Sequence, residues 1–259
     1  MPRRVDFSAN SKIYDHRHGA FLSEQLTRTL ANRLPREARI IDIGAGTGRV
    51  AVALASKGFQ VVAVDPAIPM LQAMQRKAGE SLVPAVAAEG TRLPFRKNSA
   101  DAVVLARLLY LVEDWQDLLR EAKGVLTPGG ILFHEWGNGD GGEAWVQVRE
   151  KARSLFREAG VAAPFHPGAR SEVEVDSFLH DLGFHRREQI EAGAGPAITL
   201  ADFLNRIENG EFSYIWNVPG DVQDFCLPQL RRWCESRFDL YQPAPIPAEL
   251  RWVVYENGG

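Results

Sequence analysis

The chain has 259 residues, 45% of them apolar, which is enough for one large α/β domain and excludes wholesale disorder. Its 30 basic and 33 acidic residues leave a net charge of −3, so composition gives no electrostatic footprint for non-specific nucleic-acid binding. No apolar run approaches transmembrane length, the start Met1-Pro2-Arg3-Arg4 lacks the apolar stretch of a signal peptide, and Cys226 and Cys234 would sit about 12 Å apart on one helix, so a reduced, cytoplasmic setting is expected.

Residues 1–20 are polar and mixed, and read as an arm. Phe21, Leu22, Leu26, Leu30 and Leu34 then have helical spacing, ending before Pro35. Ala38–Ile43 predicts a buried strand, Arg49–Lys57 a helix ended by Gly58, and Phe59–Val64 a second strand stopping at Asp65. Pro69–Lys77 suits a short helix with proline in its first turn, and Leu82–Ala87 a third strand. Ala102–Leu105 predicts a fourth strand, Trp115–Val125 a helix, Thr127–Gly130 a turn and Ile131–Trp136 a fifth strand. This alternation of strand and helix predicts a parallel, doubly wound sheet. Beyond it lie a glycine-rich connector at Gly137–Gly142, helices over Glu143–Ala159 and Val173–Leu182, and a sixth strand over Phe184–Ile190. Residues 199–208 and 221–238 read as helices flanking an aromatic segment, Phe212–Trp216, with Pro228 as a kink or a start in the second. Leu250–Tyr255 alternates and predicts a last, antiparallel strand.

The chemistry concentrates at Asp42-Ile43-Gly44-Ala45-Gly46-Thr47-Gly48, where a strand stops and a glycine turn leads into a helix. Glycines there permit positive φ and bare backbone beside a ligand. The spacing is Gly-x-Gly-x-Gly, which departs from the dinucleotide fingerprint. Asp42 before it is unsuited to a pyrophosphate and suits a ligand carrying an ammonium and a sulfonium; its bland alternative is a turn or helix-terminus hydrogen bond. Asp65, at the end of the second strand, can accept both hydroxyls of a ribose or cap the next helix. Glu89, after the third strand, can accept from an exocyclic amine, with Pro66 and Met70 as apolar flanks for a ring.

Taken in order, Asp42–Gly48, Val64-Asp65-Pro66 with Met70-Leu71, Glu89 before Leu93-Pro94-Phe95, Ser99–Val104 and Leu126–Gly130 resemble class I S-adenosylmethionine (SAM)-dependent methyltransferases. The nearest group is the type 11 family, which includes ubiquinone and menaquinone biosynthesis methyltransferases. The resemblance covers roughly residues 38–136. It implies a Rossmann-like, seven-stranded α/β sheet of order 3-2-1-4-5-7-6 with strand 7 antiparallel. It also implies a single domain over 1–259, with an N-terminal arm and helix at 1–35 and a helical lid insert at about 193–246. The implied cofactor is SAM, leaving S-adenosylhomocysteine, with no metal. Its methionine part would lie against Asp42, Gly44, Ala45, Gly46 and Gly48, its ribose on Asp65, and its adenine against Pro66, Met70, Glu89 and Gly90. Family members more often carry Asp at the Glu89 position. Ala106 and Arg107 would pass near the sulfonium, and Tyr14 resembles an N-terminal tyrosine that closes over the methionine end.

The implied reaction needs alignment and water exclusion more than a fixed catalytic motif. His134, His166 and Tyr14 are the candidates for proton transfer, with His16 and His18 in the arm; each has a structural reading as well. Phe203, Phe212, Tyr214 and Trp216 line either a pocket for a small, partly apolar or aromatic acceptor or a local core, and Arg107 can pair with an acid on the acceptor. Rival readings are an RNA or protein methyltransferase, a SAM-binding protein without turnover, and a dinucleotide-dependent oxidoreductase. No nucleic-acid partner and no membrane span are expected, and the oligomeric state is open.

Overall fold

A computed structural model describes residues 30–79, 83–136, 143–161, 167–192, 198–216, 218–243 and 250–259. Tyr14, His16, His18, His166 and the Gly137–Gly142 connector lie outside these residues, as does most of the helix expected before Leu34. The chain divides into two compact units: one holds 18–137, 166–192 and 250–259, the other 1–17, 138–165 and 193–249.

The first unit is a sheet with helices on both faces. Its elements are β1 (Arg39–Ile43), α1 (Ala51–Ala55), β2 (Gln60–Val64), α2 (Ile68–Ala78), β3 (Ala85–Val86), β4 (Ala100–Ala106), α3 (Trp115–Val125) and β5 (Leu126–Glu135), which the chain leaves for α4 (Glu143–Glu158) of the second unit. It continues with α5 (Glu172–Asp181) and β6 (Phe184–Ala192), and closes with β7 (Leu250–Asn257). The strand order is β3-β2-β1-β4-β5-β7-β6, with β7 antiparallel to both neighbours, as the family resemblance implies.

Alternation along the strands builds two cores. Ile40, Val61, Ala63, Ala102, Val104, Phe133, Trp252 and Val254 pack with Leu54, Leu71 and Met74. Ile41, Ile43, Val64, Val103, Leu105, Leu132, Val253 and Tyr255 pack with Trp115, Leu118, Leu119, Val175 and Leu179. Burial on both faces explains the unbroken apolar runs. Several boundaries differ from expectation. Helix α1 is five residues long, starting at Ala51. The third strand shrinks to Ala85–Val86. Thr127–Gly130, expected as a turn, runs inside β5, where Gly129 takes φ +76° and the β4–β5 register shifts between Ala100 and Ala102. A bulge of this kind absorbs turn residues without ending a ladder.

The second unit, described by itself, is helical. It contains α4, α6 (Leu200–Glu208), a 3₁₀ turn at Ser213–Ile215 and α7 (Gly220–Glu235), whose interior holds Pro228. Its core joins Trp145, Phe156, Phe203, Phe212, Tyr214, Leu230 and both buried thiols, with Phe203 edge-on to Trp145 and Phe212. The aromatic residues at 203, 212 and 214 thus form a local core, and Trp216 is tied by Nε1 to the Gly210 carbonyl at 2.7 Å. Thr199 caps α6 with Asp202 in a reciprocal capping box.

Candidate functional site

The parallel register brings the ends of β1, β4 and β5 side by side. Asp42 is level with Val104, Leu105 with His134, and Ala106 with Glu135. In sheets of this topology ligands bind beyond the carboxyl ends of the strands, at the switch in strand order, which here falls between β1 and β4.

The glycine loop after β1 is held by its own protein. The N–H groups of Gly44 and Ala45 both donate to the Val64 carbonyl, at 2.8 and 3.0 Å. Gly46 donates to Asp65 Oδ2 at 2.9 Å, and Gly48 to the Ala45 carbonyl at 2.9 Å. The Ala51 N–H donates to Asp42 Oδ2 at 2.9 Å. With these four N–H groups spent, the glycines do not offer their amides as a nest for a pyrophosphate. Gly44 and Gly48 adopt φ +71° and +80°, and a Cβ on either would collide with Leu108 or Met74. The missing side chains therefore let the protein's own packing close up to the loop.

Asp42 is 1% exposed, and its Oδ1 has no hydrogen-bond partner among the described residues. Burial pushes its carboxyl up to about 7, against the lowering effects of the Ala51 N–H and the Arg49 charge. The turn hydrogen bond and a ligand role thus use different oxygens. Asp65 accepts from Gly46 through Oδ2 and from Ala67 through Oδ1, at 2.9 and 2.8 Å. Its carboxyl is also raised by burial, an effect opposed by those two backbone N–H groups. Each oxygen retains a lone pair for a further donor. Glu89 is exposed, and its charge acts on Asp65. A Cβ at Gly90 would press into Leu118 and Ile43, so glycine is needed for that close approach. Met70 is 2% exposed and Pro66 is exposed; Ile68, which pattern reading missed, offers an apolar side chain 56% exposed.

One buried constellation was not foreseen. Glu135, fully buried at the end of β5, is bonded by Arg49 Nη2 at Oε2 and by Arg107 Nε at Oε1, the latter at 2.8 Å. Burial alone would raise the Glu135 carboxyl; Arg49 and then Arg107 outweigh it and hold it below its ordinary value. Arg107 takes φ +56°, a left-handed conformation rare outside glycine, and its N–H donates to the Glu135 carbonyl at 2.8 Å. Arg107, expected to pair with an acid on the acceptor, also has an internal partner in Glu135, through Nε. His134 is fully buried and packs edge-on to Trp136, with ring centroids 6.1 Å apart. Sequence distance hid this cluster: Arg49 and Glu135 are 86 residues apart.

These features fit a SAM-type ligand: a loop whose glycine amides are held internally, a carboxylate at each of two strand ends, and buried polar atoms on Asp42 and Arg49 without a partner among the described residues. Among the described residues no group of three or more His, Cys, Asp or Glu could hold a metal ion, and no helix is long and apolar enough to cross a membrane.

A family model described as "methyltransferase domain" matches residues 41–134. An "uncharacterized methyltransferase" of Mycobacterium bovis is 32% identical over 154 residues, covering 56% of this chain and 61% of that protein. A demethylmenaquinone methyltransferase of Clavibacter sepedonicus is 39% identical over 133 residues, covering 49% and 54%. The chain thus spans between half and two thirds of the length of these two relatives. Among solved structures, a candidate methyltransferase of an antibiotic biosynthesis pathway from Anabaena variabilis superposes with TM-score 0.67 at 18% identity, covering 92% of this chain and 98% of that one. That last likeness is one of fold.

Proposed function

We propose, from the match of residues 41–134 to the methyltransferase-domain family, that the protein transfers a methyl group from SAM to a small organic acceptor. The observation that carries the reading is the glycine loop: the N–H groups of Gly44, Ala45, Gly46 and Gly48 are spent internally, while Asp42, just before it, keeps a buried oxygen with no partner among the described residues. That combination suits a cationic nucleoside rather than a dinucleotide.

In this reading Asp65 takes the ribose hydroxyls on its two remaining lone pairs. Glu89 and Gly90 meet the adenine edge, with Ile68 and Pro66 beside the ring and Met70 beneath the segment. Asp42 and the Gly44–Gly48 backbone border the methionine part, and Ala106 and Arg107 border the reacting end. When bound, SAM supplies a methyl group already activated by its sulfonium. The protein's task is then to orient the acceptor and exclude water. We assign no general base. A small-molecule acceptor is supported by the demethylmenaquinone methyltransferase among the relatives and by the balanced charge of the chain. We assign acceptor selection to the helical insert of about 193–246, which lies outside the family match.

Calorimetry tests the cofactor. SAM and S-adenosylhomocysteine should both bind, and folded protein that binds neither would end the proposal. Asp65→Ala should weaken that binding by more than about tenfold, since a charged acceptor for two hydroxyls is lost; unchanged affinity would sink the ribose assignment. Label from methyl-tritiated SAM should enter a metabolite extract and not total RNA or protein. Label in RNA or protein would overturn the acceptor class.

A further inference from the structure

Arg49 directly follows the last glycine of the loop, and its side chain is 8% exposed. Nη2 bonds Glu135, while Nη1 is buried with no hydrogen-bond partner among the described residues. A guanidinium has five N–H donors and cannot shed its charge, so a buried open nitrogen calls for an anion. Glu135 does not meet that need, because its other oxygen is taken by Arg107 Nε at 2.8 Å. The charge of Arg49 also acts on Asp42, whose Oδ1 is likewise buried and open. One loop thus presents a cation and a carboxyl group, each with one unpartnered polar atom.

An α-amino acid carries the complementary pair. We propose that Arg49 binds the α-carboxylate at the methionine end of the cofactor, with Asp42 facing the ammonium and Glu135 acting as the positioning residue that fixes the guanidinium. This rests on the SAM reading above and adds the group that recognises the carboxylate. The protein thus supplies half of the partner set of Arg49: Glu135 orients the guanidinium, and the α-carboxylate completes it. Charge-assisted bonds of this type are the strong ones, so much of the discrimination between amino-acid-bearing and bare nucleosides should reside here.

Three ligands separate the contributions by calorimetry: SAM, decarboxylated SAM, which lacks the carboxylate alone, and 5′-methylthioadenosine, which lacks the whole amino-acid end. Wild-type protein should prefer SAM over decarboxylated SAM by on the order of 10- to 100-fold. Arg49→Gln should remove that preference and leave methylthioadenosine affinity within about twofold. Glu135→Gln should reduce the preference by a smaller factor, also without changing methylthioadenosine affinity. If Arg49→Gln weakens all three ligands alike, Arg49 is structural and the proposal is overturned. Equal binding of SAM and decarboxylated SAM by the wild type overturns it with no variant needed, which covers the case of an Arg49→Gln protein that does not fold. Wild-type protein that binds none of the three would instead remove the underlying SAM reading.

Discussion

The two units bury different kinds of atoms. In the sheet unit Asp42, Thr47, Arg49, Arg107, His134 and Glu135 are all buried at or just beyond the ends of β1, β4 and β5. In the helical unit the described buried residues are apolar, aromatic or thiol-bearing. Taking charge out of water costs several kcal/mol per ion unless it is paired, whereas apolar burial is favourable from the outset. The helical core therefore needs no explanation beyond stability. The charged cluster is paired through Glu135 and leaves Asp42 Oδ1 and Arg49 Nη1 without partners among the described residues, which apolar stability alone does not explain.

The comparison can be broken most directly at Glu135. Replacing it with alanine strands two guanidinium groups, and stability should fall by up to about 5 kcal/mol in urea denaturation. A loss under 1 kcal/mol would mean that water already reaches the cluster. Next in size is the pH response of Asp42. Its carboxyl lies near 7 in the folded chain, against an ordinary value of 3.8. The folded state therefore holds this proton where the unfolded chain has released it. Stability contributed at Asp42 is greatest below about pH 4, falls as pH rises through about 7, and is level above that, a change of up to about 4 kcal/mol. Asp42→Asn, titrated in parallel, should lack this slope; identical slopes would refute it.

In the helical unit Phe203→Ala should cost about 3 kcal/mol, the usual price of deleting a buried aromatic ring, with no dependence on pH between 4 and 8. A pH-dependent loss would erase the contrast between the units. The smallest effect is at the start of α6, where Thr199→Ala removes one half of the capping box and should cost about 1 kcal/mol. A loss several times larger in thermal denaturation would show that this cap controls more than one helix.

Where local rules suffice, the fold could be read from sequence. Trp115–Val125 starts and stops where its apolar spacing does, and β1, β2 and β4 show as runs buried on two faces. Local rules failed where a neighbouring strand decides the outcome. Thr127-Pro128-Gly129-Gly130 has the chemistry of a turn, yet it lies within β5, where the β4–β5 register shifts between Ala100 and Ala102. The charged cluster was hidden for the same reason. Arg49, Arg107 and Glu135 come from three separate βα junctions, and only the sheet order places them together. Aromatic residues of the insert were visible as a group, but nothing in their spacing distinguishes a pocket wall from a core.

The amide bonds of the glycine loop have one more consequence. Ordering a residue costs about 1–2 kcal/mol of backbone entropy. Gly44, Ala45, Gly46 and Gly48 are already fixed by Val64, Asp65 and Ala45. The loop is thus preorganised: the folding of the sheet has met its entropic cost, and association with a ligand does not have to meet it again.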